Sequence, residues 1–167
     1  MNFENPTVNI EEIPRLADRD FEPLEEDYLY FRISGRSLFY LFAAGIGSLF
    51  SLFGKVYFWY WLGPILSLWA LSLIFEFVGF KYRGYCLRQM DVSYRSGWLF
   101  HTMTTIPLNR VQHCEYSQGP IGRLFDLAQV KVFTAGGTSS DLSIKGLRKE
   151  QAIRLRDQIT QLSSTYE

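Results

Sequence analysis

Hydrophobic residues are concentrated in one block of the sequence, from Leu38 to Phe75, and polar residues flank it on both sides. The block contains two uncharged runs, Leu38 to Phe53 and Val56 to Phe75, each close to the ~20 residues that an α-helix needs to cross a hydrocarbon core of ~30 Å. One continuous helix, at ~1.5 Å per residue, would be roughly twice as long as that core is thick. The pattern therefore predicts a transmembrane hairpin of two helices, at about 37–54 and 57–79.

Lys55 is the one charged residue between the two runs. A lysine at the centre of a membrane helix costs about 3 kcal/mol on an insertion scale, so we expect Lys55 in a turn on the far side of the membrane. Trp59 and Trp61 follow this turn and suit an aromatic belt at that interface. The residues predicted for the opposite interface are basic: Arg36, Lys81 and Arg83.

Basic residues near the hairpin ends predict its orientation. They are Arg32 and Arg36 before the first run, Lys81, Arg83 and Arg88 after the second, and Lys55 alone between the runs. By the positive-inside rule, both termini lie in the cytoplasm of a cell-membrane protein. Two buried helices of a soluble bundle are the alternative, but neither run has the polar face of such helices. Pro64 either lies in the first turn of the second helix or kinks a helix already begun.

The sequence after Lys81 changes to short β-type runs separated by turn residues. Residues 81–87, 91–95, 98–106, 111–118, 129–135 and 140–146 have strand patterns, with tight turns at Ser96-Gly97 and Gly136-Gly137 and a loop with one helical turn over 119–127. Residues 148–162 repeat apolar side chains at helical spacing. About seven strands and this helix predict an α+β fold, in which a small antiparallel barrel or sandwich is capped by the C-terminal helix.

The balanced total charge hides a polarised chain. Residues 1–36 hold four bases against nine acids, a net charge of −5, whereas residues 81–167 hold twelve bases against seven acids, a net charge of +5. We therefore divide the chain into an acidic, flexible tail (1–36), the hairpin (37–80) and a basic domain (81–167). The tail either folds back onto the basic domain or stays solvated, and we expect the solvated form. Glu76, near the inner end of the hairpin, is either an interfacial carboxylate or an ion-handling group.

No residue pattern in the chain points to catalysis. Cys86 and Cys114 are the only cysteines, which indicates a reducing compartment rather than a disulfide scaffold. With His101 and His113 they could supply four zinc ligands in composition, but their spacing fits no ligand pattern. Nucleophile, phosphate-binding and paired-carboxylate motifs are also absent from the sequence. We expect no enzyme, no metal and no cofactor.

An ordered set of short motifs carries a family resemblance. These are "RSGW" at 95–98, "IPLNRVQ" at 106–112, "QGPIGRLFDLAQVKVFTAGG" at 118–137 and "EQAIRL" at 150–155. Together they resemble the bacterial membrane-anchored pleckstrin-homology-like (PH-like) family typified by YdbS. The similarity covers residues 80–162 in detail and the hairpin in layout.

The resemblance implies a PH-like domain that acts as an interaction or scaffold module at the membrane. The implied partners are the lipid bilayer and either another PH-like membrane protein or a second copy of the chain, without nucleic acid. The implied role is in envelope homeostasis or stress resistance. Anionic-lipid binding is the alternative function, although the first hairpin of the domain supplies only Arg88 for phosphate groups and offsets it with Asp91.

Four polar residues in these motifs are the candidate site residues of the domain: Arg110, Gln112, Gln118 and Arg123. They either fix loops through backbone hydrogen bonds or contact a ligand or partner.

Overall fold

A computed structural model of the chain describes residues 21–54, 57–135 and 140–165. Its elements are β1 (Glu22–Pro23), α1 (Glu26–Gly54), α2 (Trp59–Lys81), β2 (Gly84–Leu87), β3 (Asp91–Ser96), β4 (Thr102–Pro107), a 3-10 turn (Leu108–Arg110), β5 (Val111–Ser117), α3 (Pro120–Leu124), β6 (Leu127–Thr134), β7 (Leu142–Arg148) and α4 (Lys149–Ser164). Lys55, the turn predicted at Gly136-Gly137 and residues 1–20 of the acidic tail lie outside the described residues.

The two long helices pack against each other as an antiparallel hairpin. Gly47 of α1 faces Trp61 of α2, and nearer the other end the indole N–H of Trp69 donates a hydrogen bond to Ser37 Oγ at 3.1 Å. Most of their apolar side chains point away from the rest of the molecule and are exposed, for example Phe42. Both helices are long and apolar enough to cross a membrane.

The helix boundaries differ from those expected. α1 begins at Glu26, eleven residues before the predicted start, so residues 26–36 are helical rather than part of a flexible tail. The extension is held because Tyr28 and Leu29 are buried against the rest of the molecule. α2 begins at Trp59, and Pro64 therefore lies inside a helix that has already begun.

The domain after the hairpin is a sandwich of two antiparallel sheets rather than a closed barrel. One sheet has the strand order β1-β2-β3-β4 and the other has the order β5-β6-β7. Fully buried side chains from both sheets, including Val92, Val130 and Ile144, form the core. Each such side chain contributes roughly 1.5–3 kcal/mol of burial free energy. On the second sheet, α4 contributes Ala152, Leu155 and Ile159 to this core, as its helical spacing predicted.

Two strand predictions require correction. The first strand begins at Gly84 rather than residue 81 because α2 continues to Lys81. The tight turn expected at Ser96-Gly97 is a five-residue loop, residues 97–101, since β4 begins only at Thr102. Gly97 is the first residue of this loop and has a φ of 96°, a backbone conformation that residues with a side chain rarely adopt. The helical turn expected within 119–127 is α3.

Candidate functional site

A buried carboxylate surrounded by three arginines joins the hairpin to the domain. Glu76 of α2 is only 2% exposed. Arg32 Nη2 and Arg83 Nη1 donate hydrogen bonds to its two carboxylate oxygens, each at 3.1 Å, and Arg36 Nη2 lies 2.7 Å from Oε2. Arg32 Nε also lies 2.6 Å from Oε1, in an ion-pair contact without hydrogen-bond geometry. We call these four residues the Glu76 cluster.

Helical spacing places two of the arginines on one face of α1. Residues 28, 32 and 36 follow one another at intervals of four, so their side chains line up along the helix. Arg32 Nη1 donates to the Tyr28 hydroxyl at 3.4 Å, and Arg36 Nη1 donates to the backbone oxygen of Ser72 in α2 at 3.5 Å. Arg83 comes from the segment that leads into β2. The cluster therefore ties α1, α2 and the first sheet together.

The charges of the cluster do not balance. Three guanidinium groups face one carboxylate, which leaves a surplus of two positive charges at the base of the hairpin. The sequence left open whether Glu76 is an interfacial carboxylate or an ion-handling group. In the structure it is a buried carboxylate with three ion-pair partners. Ion pairing of this kind is what permits a carboxylate to be buried.

An open groove of about 440 Å³ lies beside the cluster. Its walls come from α1, from the end of β5, from the loop that contains α3, and from β6 and β7: Tyr28, Phe31, Arg32, Ser117, Gly119, Pro120, Ile121, Gly122, Leu127, Ala128, Gln129, Lys145 and Gly146. Gln129 and Lys145 face each other across the two strands. Mostly apolar walls with two cations, Arg32 and Lys145, suit an apolar ligand or peptide that carries negative charge. We call this cavity the α1 groove.

The residues predicted for the membrane interfaces are spread over both ends of the hairpin. Arg36 and Arg83 belong to the Glu76 cluster, and Lys81 Nζ lies 5.2 Å from the centre of the Phe77 ring. Trp59 and Trp61 are exposed in the first turn of α2. Arg32, which the sequence indicated only as a flanking charge, is a member of the cluster; its spacing to Arg36 was the available signal.

The four candidate residues of the domain do not form one site. Arg110 and Gln112 stand at the start of β5, whereas Gln118 and Arg123 follow its end, about 20 Å away along the strand. Gln118 accepts a hydrogen bond from the Tyr116 hydroxyl at 3.0 Å, and the side chains of Arg110, Gln112 and Arg123 are exposed. Gln118 and Arg123 lie beside the α1 groove in sequence, because Gln118 is between the lining residues Ser117 and Gly119 and Arg123 follows the lining residue Gly122.

Part of the acidic tail docks on the domain, which is the alternative to the solvated tail that we expected from the sequence. Residues 22–23 pair with β2, and the Tyr85 hydroxyl donates to Glu22 at 2.5 Å. Burial first, and then this hydrogen bond, raise the pKa of Tyr85. Glu25 and Asp27 form ion pairs with Arg148 at 3.0 and 3.4 Å. For residues 22–27 the chain therefore folds back onto the basic domain, in contrast to the expected solvated tail, and the opposite charges were the only indication of this in the sequence.

The cysteines and histidines are not gathered into a metal site. Within residues 21–54, 57–135 and 140–165, no group of three or more His, Cys, Asp or Glu side chains could hold a metal ion. Cys86 is buried and Cys114 is half-buried, and neither forms a disulfide. Burial raises the pKa of the Cys114 thiol to about 11, so that it is protonated at neutral pH.

Comparisons with known proteins agree with this architecture. A protein-family model described as "Bacterial PH domain" matches residues 38–163, which include most of the hairpin and the two-sheet domain. The transmembrane protein YdbS of Bacillus subtilis (strain 168) is 36% identical to the chain over 110 residues, which cover 62% of this chain and 67% of that protein. No solved structure matched.

Proposed function

The chain belongs to the bacterial PH domain family. We propose that it is a membrane-anchored interaction module that recruits another membrane protein at the cytoplasmic face of the cell membrane. In this proposal α1 and α2 cross the bilayer, both termini lie in the cytoplasm, and the domain binds rather than catalyses. The partner is another membrane protein with a PH-like domain, or a second copy of this chain. The family resemblance extends the proposal to a role in envelope homeostasis or stress resistance.

The surface of the hairpin supports the membrane anchor. Over the described residues of both helices the exposed side chains are largely apolar, and three basic side chains, Arg32, Arg36 and Arg83, gather at one end. A basic inner end and an apolar lipid-facing surface are typical of helices that span a membrane with this end in the cytoplasm. The related protein of Bacillus subtilis is also named a transmembrane protein.

The position of the α1 groove is the observation that carries the proposed interaction. Tyr28, Phe31 and Arg32 of α1 form one wall, so the groove is fixed to the base of a membrane helix. A partner anchored in the same bilayer meets this groove at a high effective concentration and needs only modest intrinsic affinity. The two cations in apolar surroundings fit an acidic segment with apolar side chains.

Site-specific photo-crosslinking in native membranes tests the proposal. A photoreactive phenylalanine analogue replaces Ile121, an exposed residue of the groove, or Thr160, an exposed residue of α4 that serves as the control position. We expect an adduct with an integral membrane protein from position 121 but not from position 160. Because an acidic partner segment would be repelled by a new carboxylate, Lys145→Glu should reduce this adduct several-fold.

Two outcomes contradict the proposed interaction. An adduct from position 121 that contains only lipid supports the anionic-lipid alternative instead. A protein adduct that forms equally from both positions, or that survives Lys145→Glu unchanged, removes the α1 groove as the binding surface. Circular dichroism of the purified Lys145→Glu variant verifies that the substitution leaves the fold intact.

A further inference from the structure

The loop between β3 and β4 displays large apolar side chains on the surface of the domain. Leu99 and Phe100 are 69% and 81% exposed, and the neighbouring Trp98 is 38% exposed. Three consecutive residues of this kind are unusual on a surface that faces water, and contiguous apolar patches commonly mark a contact with a protein or a membrane. We call residues 98–100 the apolar loop.

The apolar loop lies against the hairpin. The rings of Trp98 and Phe75 are 5.4 Å apart between centroids, and the rings of His101 and Tyr82 are 5.5 Å apart. Phe75 directly precedes Glu76 and lies six residues before the end of α2, about 9 Å along the helix axis. The loop therefore reaches back alongside the helix, past its last turn.

Gly97 fixes the shape of the loop. Its φ of 96° is left-handed, and a Cβ at this position would approach the backbone oxygen of Phe100 to 1.9 Å. A side chain at residue 97 is excluded by both facts. The close turn across residues 97–100 leaves Leu99 and Phe100 exposed at its tip.

We propose that the apolar loop inserts into the cytoplasmic leaflet and forms a third membrane contact of the protein, besides the two helices. The inference rests on the proposed function in one respect, namely that α1 and α2 span the bilayer. Lipid is the occupant because the loop continues the outward apolar surface of α2, through Phe75 and the exposed Ile74. Tryptophan next to apolar residues also suits the lipid interface, where its indole keeps a polar contact.

Insertion of the loop would fix how the domain sits on the membrane. The Glu76 cluster and the burial of Tyr28 against the domain already hold the domain at the base of the hairpin. A lipid contact at residues 98–100 would add an anchor at the β3–β4 end of the first sheet, which would restrict tilting of the hairpin and the domain together relative to the membrane. The α1 groove would consequently keep one orientation relative to the membrane.

Depth-dependent fluorescence of the full chain in liposomes tests the inference. In a variant without reactive cysteines, Cys86→Ala and Cys114→Ala, an environment-sensitive probe is attached at Leu99→Cys, Leu41→Cys or Thr160→Cys. Leu41 is an exposed residue of α1 and the membrane reference, while Thr160 on α4 is the aqueous reference. We expect the probe at residue 99 to be quenched by lipids brominated near the headgroup and protected from aqueous iodide several-fold better than the probe at residue 160.

The references separate the possible failures. If the probe at residue 41 is quenched by brominated lipid but the probe at residue 99 behaves like that at residue 160, the loop is solvated and this inference alone is wrong. Protection from iodide without quenching by lipid would mean that protein covers the loop, which also overturns it. If the probe at residue 41 is itself aqueous, the membrane hairpin fails, and both this inference and the proposed function fail with it.

Discussion

At the scale of single residues, the Glu76 cluster is the feature with the largest electrostatic consequence. The carboxylate is almost completely buried, while Arg32 and Arg36 keep 31% and 39% of their side chains exposed. Loss of one partner from a fully buried pair costs about 3–5 kcal/mol, whereas an exposed pair contributes about 0–1 kcal/mol. This cluster lies between these limits, because solvent can screen part of the positive charge that remains.

We therefore predict that Glu76→Gln destabilises the protein by on the order of 2 kcal/mol. The neutral amide leaves three guanidinium groups close together without a counter-charge. The measurement is the free energy of unfolding in mixed detergent micelles. Asp157→Asn is the matched control, since Asp157 is an exposed carboxylate paired with its neighbour Arg156. Equal, small effects of the two substitutions would show that the Glu76 cluster does not stabilise the fold.

At the scale of elements, the start of α1 is docked on β7. The backbone N–H of Glu25 donates to the oxygen of Gly146 at 3.2 Å, and a Cβ on Gly146 would lie 2.5 Å from the Tyr28 ring. Leu24 and Tyr28 are buried at this contact. Because burial of each such side chain contributes about 1.5–3 kcal/mol and an exposed ion pair at most about 1 kcal/mol, packing rather than the pairs of Arg148 holds the segment.

Gly146→Ala should loosen this contact. The φ of 81° at residue 146 disfavours any side chain, and the added methyl group collides with Tyr28. We expect a loss of stability on the order of 2 kcal/mol. Hydrogen exchange should also become faster in residues 22–30. Gly119→Ala is the control, because its φ is −74° and no atom lies within 4 Å of the added carbon. Unchanged exchange in residues 22–30 would mean that Gly146 does not support the docking.

The elements that the sequence predicted are those with a local pattern. Two uncharged runs gave the hairpin, and helical spacing of Ala152, Leu155 and Ile159 gave α4. The extension of α1 to Glu26 was missed because residues 26–36 mix charged and apolar side chains and are held by long-range contacts, such as that of Tyr28 with Gly146. The meeting of Arg83 with Arg32 and Arg36 was missed for the same reason, since no local pattern specifies which charges converge on one carboxylate.

At the scale of the whole molecule, the separation of charge along the chain is partly cancelled in space. Acidic residues 22–27 lie against Arg148 and Gln151 of the basic domain, where Gln151 Nε2 donates to Glu25 at 2.6 Å. The Glu76 cluster attaches the same domain to the hairpin. These two attachments lie at the junction of hairpin and sandwich, so the domain is held close to the ends of α1 and α2 that bear the arginines.

This arrangement predicts one orientation of the protein in the membrane. In the variant without reactive cysteines, we expect Thr160→Cys to react with a membrane-impermeant maleimide in inside-out vesicles but not in intact cells, because the proposed function places the domain in the cytoplasm. Lys55→Cys, between the two runs, should react with the maleimide from outside the cell but not in inside-out vesicles. The layers outside the cell membrane are removed first so that the reagent reaches this position. Labelling of both positions from the same side would mean that the two helices do not cross the bilayer as a hairpin. Labelling of Thr160→Cys only from outside the cell would show that the orientation is the reverse of the one proposed. The α1 groove would then face partners outside the cytoplasm.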